Sequence, residues 1–290
     1  MINVLITGKT SFIGGAVAAR LNEFPDRYRV KTISLREDGW RTEGFKGWDC
    51  VLHAAGIAHV SPDPSLAAEY QRVNRDLTLE VARQAKADGV QQFIFLSSMI
   101  VYGDAPPAGV RRRIGPDTLP APSNAYGQSK LDAEKGLQSL ADAHFQVAVL
   151  RPPMVYGRGC KGNYNLLSRL ARQMPFFPKF ENERSILYVG NLAECVRLIV
   201  EDGGGGLYFP QEARTFSVCE LVDAIARVHG RRMRFWKCLN PVVRLLGRRG
   251  LARRAFGDMA YDLQMSQRPA GYRRLDFETS IRETEGAAEL

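Results

Sequence analysis

Ser98, Tyr126 and Lys130 form a set able to move a proton to or from an alcohol or carbonyl oxygen. They stand in FIFLSSMIVYG (93–103) and AYGQSK (125–130). Tyr126 and Lys130 are four residues apart, so on a helix they share one face, a turn apart. A lysine ammonium held there favours the phenolate and draws the tyrosine pKa down from about 10. A tyrosine tuned in that way serves as general acid or base near neutral pH. Ser98, closing an apolar strand, can hold the same oxygen by a hydrogen bond. What this chemistry lacks is a hydride carrier.

The elements that would position such a carrier begin at the amino terminus, MINVLITGKTSFIGG (1–15). An apolar strand (Ile2–Ile6) runs into Gly8 and then into a helix opening near Phe12, Ile13 and Gly14. A strand, a glycine turn and a helix N-terminus aim backbone N–H groups and the positive end of the helix dipole at a pyrophosphate. The dinucleotide fingerprint asks for glycine at three places, which here are Gly8, Ser11 and Gly14, so the middle one is missing. Ser11 is small and its hydroxyl could face the phosphates. GKT is not a Walker loop, because no glycine stands five residues before Lys9.

Further apolar runs follow at Val51–Ala55, with Asp49 just ahead, at Gln92–Leu96 and at Val147–Leu150; residues 65–88 are helical in pattern. Helices alternating with short apolar strands predict an α/β, doubly wound parallel sheet of the Rossmann kind. Ligands of such sheets bind at the carboxyl ends of the strands. Gly8, the Ala54-Ala55-Gly56 segment and Ser98 all follow strands, so they are expected to line one crevice. The expected division is a dinucleotide-binding, catalytic part over residues 1–160 and a smaller substrate-binding part over 161–290, interleaved with the first.

YxxxK alone decides little; the order of blocks carries more weight. Glycine turn, DxxxHAAG, SSMIVYG and YGQSK in succession resemble the extended short-chain dehydrogenase/reductases, the NAD-dependent epimerase/dehydratase family acting on nucleotide sugars. The resemblance runs over essentially the whole chain. It implies that Ser98, Tyr126 and Lys130 are catalytic, with the latter two also touching cofactor. It further implies a pyrophosphate loop of Gly8, Ser11, Phe12, Ile13 and Gly14, an adenine contact at Asp49, and Asn74 on a helix packed near the active site. Ala54, Ala55 and Gly56 would line the cofactor crevice. In the substrate part it points to Asn163, Arg184 and Lys161 as grips on a nucleotide diphosphate; arginine offers paired donors to phosphate oxygens. A homodimer is implied across the helices near 65–88 and 126–142, with Leu77, Val81 and Leu131 at its apolar seam.

Cofactor choice is read at the end of the second strand, KTISLRED (31–38). Ser34 stands where an acidic residue would take the ribose hydroxyls, and Arg36 follows, which suits the phosphate of NADP. Were Glu37 or Asp38 to reach the ribose, NAD would be the cofactor. Met99 and Ile100 follow Ser98 where the family's 4,6-dehydratases carry Asp-Glu, so dehydration is not expected. Two activities at carbon 4 of a UDP-sugar remain. The first is reduction of a UDP-4-keto-6-deoxy-N-acetylhexosamine for surface-polysaccharide precursors; the second is 4-epimerisation of the UDP-glucose type. The resemblance places an epimerase asparagine where Pro152-Pro153 stand, which weakens epimerisation, and the NADP-leaning strand end with the modest C-terminal part favours reduction. A non-catalytic dinucleotide sensor is the remaining class, and such proteins lose the tyrosine or lysine retained here.

Composition fits a folded enzyme: 290 residues, 45% apolar, long enough to bury a core. Met1 leads straight into the first strand, so no signal peptide is read. The five cysteines show no CxxC and four histidines show no paired spacing, which predicts reduced thiols, a cytoplasmic location and no metal. The net charge of +9 arises locally, because Arg231–Arg254 holds nine Arg/Lys and no acidic residue, leaving 31 of each sign elsewhere. Basic and apolar residues interleave there, so the segment reads as a solvated face near an anionic substrate or as a contact with the inner membrane surface. It lacks the aromatic platform of a nucleic-acid binder.

Overall fold

Apolar runs of four to six residues that are buried on both faces make the parallel strands expected of a covered sheet. The computed structural model of the chain describes residues 1–57, 64–247, 253 and 255–286. From the amino end, β1 (Ile2–Thr7) passes through Gly8 to α1 (Phe12–Asn22), β2 (Tyr28–Ile33), the short α2 (Gly39–Glu43) and β3 (Cys50–His53). A 3-10 turn (Pro64–Leu66), α3 (Ala67–Tyr70), a π-helical stretch (Gln71–Asp76) and α4 (Leu77–Ala87) lead into β4 (Gln92–Leu96). Then come β5 (Arg111–Ile114), α5 (Ala125–Gln138), β6 (Gln146–Leu150) and β7 (Met154–Tyr156). After α6 (Asn163–Gln173) follow β8 (Phe176–Pro178), β9 (Ile186–Tyr188), α7 (Val189–Asp202) and β10 (Gly206–Tyr208). The last part holds α8 (Val218–Val228), β11 (Arg234–Trp236), α9 (Asn240–Leu246), β12 (Asp258–Tyr261) and a closing helix, Phe277–Glu285.

Six strands pair in the order β10-β6-β4-β3-β1-β2, all parallel. Thr7 lies opposite both Ile33 and His53, and His53 opposite Phe95, so the strands end together on one edge. The connection reverses between β1 and β3, which opens a crevice at their carboxyl ends. On one face α1 and α7 pack through Val17, Leu21, Leu192, Val196 and Ile199. On the other, α4 and α5 pack through Val81, Ala85, Ala133 and Leu137 against Phe93 and Phe95. The doubly wound sheet is therefore as predicted.

A second apolar cluster joins α6, α8 and the closing helix through Tyr164, Leu167, Leu221, Ile225 and Ile281. The chain interleaves, because α7 and β10 return to the central sheet from beyond residue 160. Of the residues expected at the seam between two copies, Val81 and Leu131 are buried within one chain and Leu77 is half-buried. All five cysteines are free thiols. Among the described residues no His/Cys/Asp/Glu cluster could hold a metal, and no helix is long and apolar enough to cross a membrane. Residues 248–252 and 254 of the basic segment lie outside the described residues.

Candidate active site

The glycine turn is built by close approach. Gly8 has φ of +88°, and a Cβ there would stand 2.9 Å from the Ala55 nitrogen and 3.0 Å from the Ala54 carbonyl. Only glycine reaches that backbone conformation at little cost, so β1 and the Ala54–Ala55 segment meet at the crevice. The Gly8 and Lys9 N–H groups donate to the Ile33 carbonyl at 2.9 and 3.0 Å, tying the turn to the end of β2. Gly14 lets α1 settle on the sheet, since a Cβ there would meet Ala54 and Ile6 carbons at 3.2 Å. Ser11 is the N-cap of α1, and its Oγ accepts the Gly14 N–H at 3.1 Å. One lone pair of the oxygen thus serves the helix cap, and the O–H remains a donor at the mouth of the crevice. The N–H groups of Phe12 and Ile13, in the first turn, have no intrahelical acceptor.

Asn74 lies in the π-helical stretch and is fully buried. It accepts the Ile57 N–H at 2.8 Å, donates to the Ile57 carbonyl at 3.1 Å, and donates to Ser129 Oγ at 3.2 Å. It thereby staples the segment after β3 to α5, and a π-bulge is a frequent mark of such places. His53 bridges Thr7 and Thr78 at 3.0 Å on its two ring nitrogens. Burial, aided by the Lys130 charge, pushes its pKa down to about 3, so it is a neutral spacer.

Asp49 brings a correction. It precedes β3, at the amino end of the strand, and its carboxylate accepts the Asn3 N–H at 2.7 Å. The crevice is at the carboxyl ends, so four strand residues separate Asp49 from it and an adenine contact is excluded. Arg36 is exposed just past β2, whereas Asp38 is paired with Arg41, which also holds Glu80 at 2.6 Å.

Tyr126, Ser129 and Lys130 are buried on the inner side of α5. The helix starts at Asn124, whose Oδ1 accepts the Gly127 N–H at 2.8 Å. Gly127 is needed for close approach, because a Cβ would stand 2.8 Å from the Ile100 carbonyl oxygen in the turn after Ser98. The Ser98 side chain lies close enough to the Tyr126 phenol to favour its ionised form. Lys130 Nζ donates to the Leu96 carbonyl at 2.9 Å and lies 4.6 Å from the Phe95 ring centre. A Cβ on Gly56 would come within 3.4 Å of Nζ. The ends of β3 and β4 thus meet α5 at one point.

The electrostatics differ from expectation. Burial raises the Tyr126 pKa to about 12, the Ser98 side chain works against it, and Tyr70, with its ring 5.8 Å away, adds to the rise. Lys130 is lowered to about 8, by burial first, with the Glu134 carboxylate opposing. Desolvation sets the direction of both shifts.

Sequence reasoning missed what lies beneath. Glu134 follows Lys130 by one helical turn and is gripped by Arg151, with Nη2–Oε2 at 2.5 Å and Nε–Oε1 at 3.1 Å. Ser97 Oγ also donates to Glu134, Arg151 Nη1 donates to Tyr102 Oη at 2.7 Å, and Tyr261 Oη donates to the Arg151 carbonyl at 2.8 Å. The only signal was the continued four-residue spacing 126, 130, 134.

The Met99 N–H donates to the Pro152 carbonyl at 2.9 Å, so the Ser98 turn abuts the strand end leading to β7. Beyond it a small cleft is lined by Met154, Leu167, Arg184, Ile186, Phe216 and Leu221. Arg184 is in its wall, with Nη1 donating to the Ala255 carbonyl at 2.8 Å; burial lowers its pKa to about 10 against the Asp258 charge. Asn163 begins α6, one turn before Leu167, and Lys161 is exposed two residues earlier.

The profile of the NAD-dependent epimerase/dehydratase family matches residues 4–208. A UDP-glucose 4-epimerase of Vibrio cholerae is 27% identical over 299 residues, covering 93% of this chain and 90% of the relative. An N-acetyl-alpha-D-glucosaminyl-diphospho-ditrans,octacis-undecaprenol 4-epimerase of Escherichia coli O157:H7 is 27% identical over 225 residues, 70% of this chain and 65% of the relative. Among solved structures, MoeE5 in complex with UDP-glucose and NAD superposes with a TM-score of 0.71 at 21% identity, covering 98% of this chain and 97% of that one.

Proposed function

This chain belongs to the NAD-dependent epimerase/dehydratase family, and on that premise we propose that it reduces the carbon-4 ketone of a UDP-linked 4-keto-6-deoxy-N-acetylhexosamine, with NADP as its cofactor, in the supply of surface-polysaccharide precursors. The observation carrying this reading is the meeting of Ser98, Tyr126 and Lys130 beside the glycine turn, with apolar Met99 and Ile100 following Ser98. One proton-transfer group at one oxygen suffices for a ketone; removing water would need further acids and bases.

The cradle made by Gly8 against Ala54–Ala55, with the Phe12 and Ile13 N–H groups, fits a pyrophosphate. Arg36, with Asp38 drawn to Arg41, fits a ribose phosphate. When bound, a nicotinamide supplies the hydride. Ser98 holds the ketone oxygen and Tyr126 Oη hands it a proton. Lys130, held by the Leu96 carbonyl, keeps a positive charge beside the developing phenolate. Arg184, with Asn163 and Lys161, is assigned to the diphosphate, so the face of attack is set by pinning that end.

The Vibrio relative's name favours a second reading, 4-epimerisation of a UDP-hexose. The two separate on incubation of purified protein with the 4-keto sugar nucleotide or with UDP-glucose. Reduction consumes NADPH in proportion to product and leaves UDP-glucose unchanged. Conversion of UDP-glucose to UDP-galactose without net cofactor use makes the chain an epimerase.

A further inference from the structure

One surface has no part in this chemistry. On α9, Val243 is buried against Ala108 and Phe180, while Val242, Leu245 and Leu246 are 51, 69 and 60% exposed. Their i, i+3, i+4 spacing puts the three on one side of the helix. Trp236, 44% exposed, stacks on Phe176 with ring centres 4.4 Å apart at the edge of the same surface. Arg231, Arg232, Arg234, Lys237 and Arg244, from the same stretch of chain, are all exposed, Arg231 with its guanidinium on the Arg172 and Met174 carbonyls, and no Asp or Glu occurs from 231 to 247.

Single exposed apolar residues are ordinary, and so is a solvated basic face. A solvated face, however, has no use for two open leucines and a tryptophan, and an apolar protein groove has none for five cations. We propose that α9 and the Arg231–Lys237 segment form a docking surface for an anionic phospholipid bilayer. The apolar tips enter the acyl boundary, the indole sits at headgroup level, and the Arg and Lys stems carry their charges to lipid phosphates.

The surface is tied to the catalytic helix. Ala108 N–H donates to the Gly247 carbonyl at 3.1 Å, and Arg253 Nε donates to the Ala105 carbonyl at 2.6 Å. In the same loop the Asp104 carboxylate accepts from Ser123 Oγ at 2.7 Å and from Asn124 Nδ2 at 3.1 Å. Asn124 caps α5, which bears Tyr126 and Lys130. A bilayer engaged by α9 therefore holds the site at a fixed attitude to the lipid headgroups.

The test is cosedimentation of the whole protein with phosphatidylcholine vesicles, with and without phosphatidylglycerol. Binding should require phosphatidylglycerol and weaken in high salt. Each cation near such a surface is worth roughly fivefold in affinity, so Arg232→Gln/Arg234→Gln/Lys237→Gln should bind roughly a hundredfold more weakly. Leu245→Glu/Leu246→Glu should also release the protein while NADPH binding and turnover of soluble substrate persist. Equal binding to neutral vesicles, or binding undiminished in both variants, overturns the proposal. So does light scattering in which wild type is a dimer that Leu245→Glu/Leu246→Glu converts to monomer, since the surface would then belong to a second copy.

Discussion

Lys130→Met should make the protein more stable and catalytically dead. Lys130 is buried and held at about 8 rather than 10.5. At about 1.4 kcal/mol per pH unit, that difference costs the folded state roughly 3 kcal/mol while the lysine is protonated in both states. Methionine removes this cost, forfeits the bond to the Leu96 carbonyl, worth about 1 kcal/mol, and keeps most of the volume. A net gain of about 2 kcal/mol at pH 7 follows. Its pH dependence is distinctive. Between pH 8 and 10.5 the folded wild type has released the proton that the unfolded chain still binds, so wild-type stability rises relative to the variant. The variant's advantage should be full below pH 8 and gone above 10.5, read from urea titrations of both proteins across that range. Turnover should fall at least ~100-fold, because the charge beside the phenolate is lost. A variant less stable than wild type at pH 7, or a difference flat across the window, would refute burial as the cause of the lysine's low pKa.

Tyr126→Phe should keep the fold and cofactor affinity while turnover falls ~100- to 10,000-fold, the usual worth of a general acid; steady-state kinetics retaining half the activity would remove Tyr126 from the mechanism. Arg36→Ala should weaken NADPH about 10- to 100-fold, the loss of a charge-assisted contact, and leave NADH unchanged, as followed by cofactor fluorescence. Glu134→Gln strands the buried Arg151 guanidinium and should cost about 3–5 kcal/mol by urea titration, most of it recovered in Glu134→Gln/Arg151→Met. Because the Glu134 charge raises the Lys130 pKa, the single variant should also move the alkaline limb of the rate profile to lower pH.

Much of the site was legible because it depends on local spacing joined to strand ends. Gly8, Gly14, Ala54–Gly56, Asn74, Ser98, Tyr126 and Lys130 all lie where a doubly wound sheet puts its carboxyl edge. Asp49 was misread although the same rule applies to it: a residue just ahead of a strand is at the far edge from the ligand. The N-cap role of Ser11 was not read, because a serine between two glycines signals a substituted fingerprint before it signals a helix cap. The rise in the Tyr126 pKa depends on enclosure by α5, the Ser98 turn and Tyr70, which no four-residue spacing reveals. Glu134 and Arg151 are 17 residues apart on a helix and after a strand, so only their packing shows that they are partners. A helix pattern marks Val81 and Leu131 as an apolar face without saying how much of it the chain's own sheet and helices cover.

The central claim is that this set of residues delivers a proton to an oxygen whose carbon receives a hydride from a reduced cofactor. The most direct measurement uses NADPH deuterated at the transferable position, with a UDP-linked 4-keto-6-deoxy-N-acetylhexosamine, and locates the label in the product by NMR. One deuterium on carbon 4 per NADPH oxidised is the expected result. Label at another carbon, or product formed without label while NADPH persists, would contradict it.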